Sequence, residues 1–158
     1  MMAFAGSLEP RVPEVQLMTI ATFASDTVQG SGPFENYQPG RCNIGPAEIA
    51  RRRRAGHVGV IATVIVVAAL IVIGAPPVAR FVAILPAAVA ASGYLQARER
   101  FCAAYGSRGI FNFGDAGDAE TVVDQDAREL DRRTARRISL TSFAIGAAVG
   151  LVAFALPI

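Results

Sequence analysis

Hydrophobic residues are gathered into three long runs, and these runs predict the architecture of the chain. The first run covers residues 56–74, the second residues 78–96, and the third residues 138–158. A helix over the first run would extend roughly 28 Å, close to the ~30 Å hydrocarbon core of a bilayer. The first run is apolar on every side, whereas a helix in a soluble core usually keeps a polar stripe. The sequence therefore predicts three transmembrane helices.

The segments between the runs predict how these helices are connected. Residues 75–77, Ala-Pro-Pro, predict a tight turn, so the first two helices should form a transmembrane hairpin. Residues 118–137 predict an amphipathic helix that continues without a break into the third span, with an apolar face formed by Val122, Ala127, Leu130, Thr134 and Ile138. The predicted fold class is an all-α membrane protein: a helical hairpin, then a cytoplasmic amphipathic helix that leads into a third transmembrane helix.

Composition divides the chain into three parts. Residues 1–40 are rich in Pro, Gly and Ser and predict a flexible N-terminal arm. Residues 41–117 form the hairpin with its interfacial flanks, and residues 118–158 form the amphipathic helix and the third span. We expect the aromatic residues of the 101–117 segment to lie at headgroup level and Pro86 to kink the second helix.

The positive charges predict the orientation of the spans. All fifteen basic residues are arginines, and the net charge of +2 is too small to indicate nucleic-acid binding. Two arginine blocks precede the first and third spans and are candidate topology anchors that contact anionic lipid headgroups: Arg51, Arg52, Arg53, Arg54, Arg132, Arg133, Arg136 and Arg137. This pattern predicts a multi-pass protein of the bacterial inner (plasma) membrane, with the N-terminus in the cytoplasm and the C-terminus outside.

Small residues recur at helical spacing in the second and third spans. They are candidate helix-packing positions: Ala83, Ala87, Ala91, Ser142, Gly146 and Gly150. Such ladders permit close approach of helices within one chain or between chains. We therefore expect either a protein partner or a homo-oligomer as well as the intramolecular contacts.

Three side chains are candidates for chemistry: Cys42, His57 and Cys102. On the predicted topology all three lie at the cytoplasmic interface, where neighbouring arginines should lower a thiol pKa. The two cysteines should lie close together and could relay sulfur, pair reversibly, or form a soft metal site with His57. A haem between the His57 side chains of two protomers is a further alternative. The spacing lacks a CxxC motif, so we predict neither a metal nor a cofactor, and enzyme activity stays open with the balance against it.

A set of short motifs resembles a known membrane domain. Asn43-Ile44-Gly45, Glu48-Ile49, Arg51-Arg52 and Gly56 precede the first span, and the segment 101–106, Phe-Cys-Ala-Ala-Tyr-Gly, follows the second. Over roughly residues 42–114 this resembles the two-helix domain that follows the catalytic domain of inner-membrane rhodaneses, the YgaP-like transmembrane family. Ala103 replaces the proline usual in that family, and a third span is added. The resemblance implies a membrane hairpin without sulfurtransferase activity, because residues 1–40 are too short for a rhodanese domain and contain no cysteine.

Three functions follow from these observations. The first is a non-catalytic scaffold, anchor or accessory subunit of a larger membrane complex. The second is a thiol-based sulfur or redox role for Cys42 and Cys102. The third is an oligomeric small-solute channel, although no span contains the acidic residue or mid-span cation typical of an ion pathway.

Overall fold

The computed structural model describes residues 36–114 and 119–157, and within them the chain is largely helical. In chain order the elements are α1 (Pro46–Val72), a 3₁₀ segment (Pro77–Ala83), α2 (Ile84–Glu99), α3 (Ala103–Arg108), β1 (Ile110–Phe111), β2 (Glu120–Thr121) and α4 (Gln125–Ala155). Strands β1 and β2 are antiparallel and only two residues long. Most of the predicted flexible arm, residues 1–35, lies outside the described residues.

Three helical segments are long and apolar enough to cross a membrane: α1, the 3₁₀ segment with α2, and α4. The all-α prediction is therefore confirmed, and the chain is a multi-pass membrane protein. Helix α1 begins at Pro46, whose missing N–H is tolerated in a first turn, and continues through the arginine block into the apolar run. It ends where Gly74 adopts a φ of 64°, a left-handed conformation that favours glycine.

Small residues bring α1 and α2 into close contact. A Cβ atom added at Gly59 would lie 2.6 Å from the backbone nitrogen of Ala90, and one added at Gly93 would lie 2.5 Å from the nitrogen of Gly56. Both distances are too short for a real Cβ contact, so only glycine permits this packing. Helices α1 and α2 are antiparallel, because the start of α1 faces the end of α2.

Helix α4 packs on the other side of α2 through the ladder that the sequence predicted. A Cβ added at Gly146 would lie 2.7 Å from the carbonyl oxygen of Ile84, and one added at Gly150 would lie 2.3 Å from the side chain of Ile84. All six predicted helix-packing residues are buried: Ala83, Ala87, Ala91, Ser142, Gly146 and Gly150. The glycines of the ladder thus serve contacts within the chain.

The predicted start of the amphipathic helix is wrong, and its predicted apolar face is correct only in part. Helix α4 begins at Gln125, because the side chain of Asp124 caps it by accepting hydrogen bonds from the next backbone N–H groups. Val122 lies before the helix, and Leu130 is 47 % exposed. Ala127 and Ile138 are buried as predicted. Between them the buried positions are Asp131 and Ala135, each one residue after a predicted position. The predicted continuity of this helix with the third span is confirmed.

The surroundings of the aromatic residues and of Pro86 are defined by contacts within the chain. Phe101 and Phe111 are buried in protein: Phe101 packs against Ile138, and Phe111 packs against Val122. The prediction that these aromatic residues lie at headgroup level stays a prediction. Pro86 lies in the first turn of α2, directly after the 3₁₀ segment. A backbone N–H in the first turn of an α-helix has no partner within that helix. Because the change from 3₁₀ to α-helix places Pro86 in such a first turn, the missing N–H of proline costs no α-helical hydrogen bond.

The start of α1, the end of α2 and the start of α4 lie at the same end of the bundle, which we call the arginine-rich end. The non-spanning segments at this end, residues 36–45, 100–114 and 119–124, form a folded unit that we call the basal cap. Two small apolar clusters, one around Phe101 and one around Phe111, fix the cap against α4.

Candidate functional site at the arginine-rich end

Asn43 connects the segments of the basal cap. Its side-chain amide donates to the carbonyl oxygen of Cys102 at 3.1 Å and accepts from the N–H of Cys102 at 2.6 Å. Its backbone N–H donates to the carbonyl of Arg100, and its carbonyl accepts from the N–H of Asn112. The residue is fully buried, so each of these groups depends on its protein partner and not on water. Asn43 thereby holds the chain before α1 against the chain after α2.

A buried carboxylate lies beside this connection. Glu48, in the first turn of α1, has a side chain with no exposed surface and forms ion pairs with Arg51 at 3.4 Å and Arg52 at 3.2 Å. The hydroxyl of Tyr105 also donates to Glu48. The guanidinium of Arg52 lies over the Tyr105 ring and donates to the sulfur of Cys102 at 3.1 Å. One continuous polar network therefore joins α1 to α3 and to Cys102 in the chain that follows α2.

A second buried carboxylate binds the chain that precedes α1. Asp131 of α4 accepts hydrogen bonds from the hydroxyl of Tyr37 at 2.8 Å and from the N–H of Gly40 at 2.6 Å. Thr134, one turn later, donates to the carbonyl of Gly40. Burial and the bond to Asp131 raise the pKa of Tyr37, so its hydroxyl stays protonated and can donate. Residues 36–40, predicted to belong to the flexible arm, are thus packed on α4.

The structure places the two cysteine-bearing segments side by side, as predicted, but their thiols have different environments. Both cysteines are free. The sulfur of Cys42 lies 4.0 Å from the carbonyl of Ile44, whereas that of Cys102 faces Arg52 and is fully buried. The predicted lowering of the thiol pKa is wrong for Cys42: burial raises its pKa, and the hydrogen bond with the Ile44 backbone and the charge of Arg100 together offset only part of that effect.

His57 does not lie with the cysteines. Its Nδ1 atom is 2.5 Å from the hydroxyl of Tyr94 on α2, and the two rings meet edge to face. Within residues 36–114 and 119–157 no group of three His, Cys, Asp or Glu side chains has the geometry of a metal site. The set of His57, Cys42 and Cys102 proposed from the sequence is therefore not brought together as metal ligands.

The predicted arginine anchors fall into two groups. Arg51, Arg52, Arg133 and Arg137 form ion pairs with carboxylates of the chain. The other four, Arg53, Arg54, Arg132 and Arg136, have exposed side chains and no ion pair among the described residues. Four of the eight predicted anchor arginines thus form contacts within the chain, and the other four face outward.

An open groove of ≈ 900 Å³ lies between the basal cap and the ends of α1 and α2. Four arginines line it: Arg41, Arg53, Arg98 and Arg100. No carboxylate of the described residues lies in its wall, and the thiol-bearing residue Cys42 forms part of it. We call this feature the arginine groove.

One arginine at the other end of the bundle has a structural role. Arg80, in the 3₁₀ segment, is 2 % exposed and donates from Nη1 to the carbonyl oxygens of Ala153 and Leu156. These carbonyls belong to the C-terminal end of α4, where the helix dipole favours a positive charge. Arg80 therefore caps α4.

Sequence reasoning missed the roles of Asn43, Glu48 and Asp131. Glu48 precedes Arg52 by four residues, a spacing that already predicts a pair on one helix face. Asp131 lies four residues from both Ala127 and Ala135 and therefore shares one helix face with them. An apolar face defined by these two alanines would have placed Asp131 on the buried side. For Asn43 no local signal exists, because its partner Cys102 is 59 residues away.

The chain matches no protein-family model, and no curated protein or solved structure is significantly similar to it. The resemblance to the rhodanese-associated membrane domain therefore stays a prediction. Its motif residues nevertheless have a common location here, since Asn43, Glu48, Arg52, Cys102 and Tyr105 all belong to the connected contacts of the basal cap. In this chain the motif therefore closes the base of the α1–α2 pair.

Proposed function

We propose that this chain is a non-catalytic scaffold or accessory subunit of the bacterial inner membrane. The observation that carries the proposal is the use of its buried polar side chains. Asn43, Glu48 and Asp131 are each bonded to other parts of the chain, and within the described residues none of them points into a cleft as an acid, base or nucleophile would. The buried polar side chains of the basal cap therefore hold its segments together, and we interpret the cap as a rigid surface for binding another protein, called the platform below.

The charge distribution supports a cytoplasmic position for this platform. Among the described residues Arg80 is the only arginine at the opposite end of the bundle, and its side chain is buried against α4. Arginine-rich ends of transmembrane helices are retained in the cytoplasm. The proposed topology is a hairpin of two spans and a third span, with the cap inside and the C-terminus outside.

Site-specific photocrosslinking tests the scaffold proposal. A photoreactive residue at Ser107 or Arg132, both exposed on the arginine-rich end, should give discrete adducts with another protein in cells. The matched control is Val64, which is 62 % exposed in the apolar part of α1 and should contact mainly lipid. A protein that yields no discrete adduct from any position on the arginine-rich end would contradict a scaffold role for the cap.

A thiol-based function is less well supported by this geometry. The proximity of the Cys42 and Cys102 segments favours it, but the full burial of Cys102 and the raised pKa of Cys42 both reduce thiol reactivity. Mild oxidation followed by non-reducing peptide mapping decides between the two functions. We expect two free thiols, and a Cys42–Cys102 link would favour the sulfur or redox role instead. The channel alternative predicts solute flux in liposomes above background.

A further inference from the structure

We propose that the arginine groove is a binding site for a phosphate group, presented by an anionic phospholipid or by a soluble phosphate. The inference goes beyond the scaffold role and does not depend on it, since it concerns only the side chains that line this groove. It also differs from the general attraction between arginine blocks and a lipid surface, because it assigns the phosphate to one cleft.

The first observation is the selective distribution of ion pairs. The arginines that face carboxylates, such as Arg52 and Arg137, lie outside the groove. The four that line it form no ion pair and no side-chain hydrogen bond with any described residue. Four guanidinium groups around one cleft repel one another, and a phosphate oxyanion would relieve that repulsion through charge-assisted hydrogen bonds.

The second observation is the backbone at Arg100, the residue that directly follows α2. Its φ of 52° makes it the only described non-glycine residue with positive φ, whereas the other described positions with positive φ, Gly40, Gly74 and Gly109, are all glycines. An L-residue with a side chain is disfavoured in this conformation. The chain therefore retains a guanidinium at a position where glycine would fit the backbone better, and that guanidinium lines the groove.

The third observation is the position and composition of the groove. It opens beside the last turn of α2 and the second turn of α1, where each apolar run meets the arginine-rich end. Its wall also contains apolar side chains, among them Ile49 and Phe113. A cationic cleft with an apolar margin, at the point where the apolar runs end, suits a phosphate that is attached to an acyl-bearing group. The planar guanidinium groups also fit a free phosphate.

Cys42 supplies a built-in reporter, because it lies in the groove wall whereas Cys102 is buried. The full chain is placed in phosphatidylcholine nanodiscs, with or without phosphatidylglycerol, and the alkylation rate of Cys42 is measured by peptide mass spectrometry. A further arm adds inorganic phosphate to pure phosphatidylcholine nanodiscs. If only the empty groove admits the reagent, occupation of about 80 % should slow Cys42 alkylation about fivefold.

The variants separate a specific site from general surface charge. Arg53→Gln and Arg100→Gly should abolish the protection, and the glycine variant should be at least as stable as the parent, because its backbone strain is relieved. Arg54→Gln is the matched control: it removes the same charge from the adjacent, exposed position outside the groove, and protection should persist. A cysteine introduced at the exposed Ser107 reports the effect of surface potential alone.

Each outcome decides the proposal. Protection with phosphatidylglycerol but not with inorganic phosphate identifies a lipid headgroup, and protection with inorganic phosphate identifies a soluble source. An absence of protection in both arms overturns the site. Equal loss of protection in the Arg53→Gln and Arg54→Gln variants, or equal slowing of a cysteine at position 107, would also overturn it, because the effect would then be nonspecific.

Discussion

The side chain of Asn43 should be a principal stabiliser of the basal cap. Asn43→Ala removes the amide that bonds both the N–H and the carbonyl of Cys102. The buried N–H is then left without a partner, whereas the carbonyl keeps its hydrogen bond from the N–H of Gly106. A lost hydrogen bond that strands a buried partner costs about 1–3 kcal/mol. We therefore expect a loss of about 1–3 kcal/mol in the free energy of unfolding, the cost of one buried donor left unpaired.

The assay uses the burial of Cys102. In a Cys42→Ser background, a thiol-reactive fluorogenic dye in mild detergent reports the temperature at which Cys102 becomes accessible. At about 2–4 °C per kcal/mol for a chain of this size, the midpoint should fall by roughly 2–12 °C. Asn43→Asp should be destabilised as well, because its second carboxylate oxygen would face the carbonyl of Cys102 without a proton to share.

The matched control is Gln38→Ala. Gln38 is exposed in the same segment, and among the described residues its side chain forms no hydrogen bond, so the midpoint should stay within about 1 °C of the parent. If Asn43→Ala and Gln38→Ala lowered the midpoint equally, or if neither lowered it, the conclusion that Asn43 closes the cap would be wrong.

Three further predictions concern the same end of the bundle. Glu48→Gln should destabilise the fold by about 3 kcal/mol, at the low end for breaking a buried ion pair because Arg52 is 21 % exposed, and thermal unfolding measures this. Gly93→Ala should cost about 1–3 kcal/mol because the added methyl group overlaps the backbone of Gly56, and a midpoint equal to that of the parent would refute this close packing. Since burial raises the pKa of Cys42 and only the thiolate reacts, its alkylation should reach half-maximal rate at a higher pH than that of a free cysteine peptide, and a lower midpoint would contradict the assigned environment.

The spans could be predicted from the sequence because the bilayer imposes a length and a composition on each of them. The apolar runs and the small-residue ladder of Gly146 and Gly150 are local patterns, and each corresponds to an observed element or contact. The predicted face of α4 is correct only in part. Leu130 was included for its hydrophobicity, but the neighbouring buried position is Asp131, whose carboxyl group accepts hydrogen bonds from Tyr37 and Gly40 of a distant segment.

The basal cap could not be predicted because its contacts connect residues far apart in the chain. Asn43 reaches Cys102 across 59 residues, and Tyr37 reaches Asp131 across 94. The arginine groove depends on the same folding, since Arg41 and Arg98 come to one cleft only when the segment before α1 packs against the end of α2. Charge counts from the sequence identify arginine-rich segments but do not show which arginines form an ion pair with a carboxylate.

Sidedness of labelling tests the central claim most directly, namely three spans with the arginine-rich end in the cytoplasm. In a Cys42→Ser background, single cysteines replace Ser107 in the basal cap and Pro157 beyond α4, both exposed positions, while the buried Cys102 stays unlabelled. A membrane-impermeant maleimide should label the cysteine at position 107 only in inverted vesicles and the cysteine at position 157 only in intact spheroplasts. Labelling of both positions from the same side would contradict three spans, and the reverse pattern would contradict the orientation.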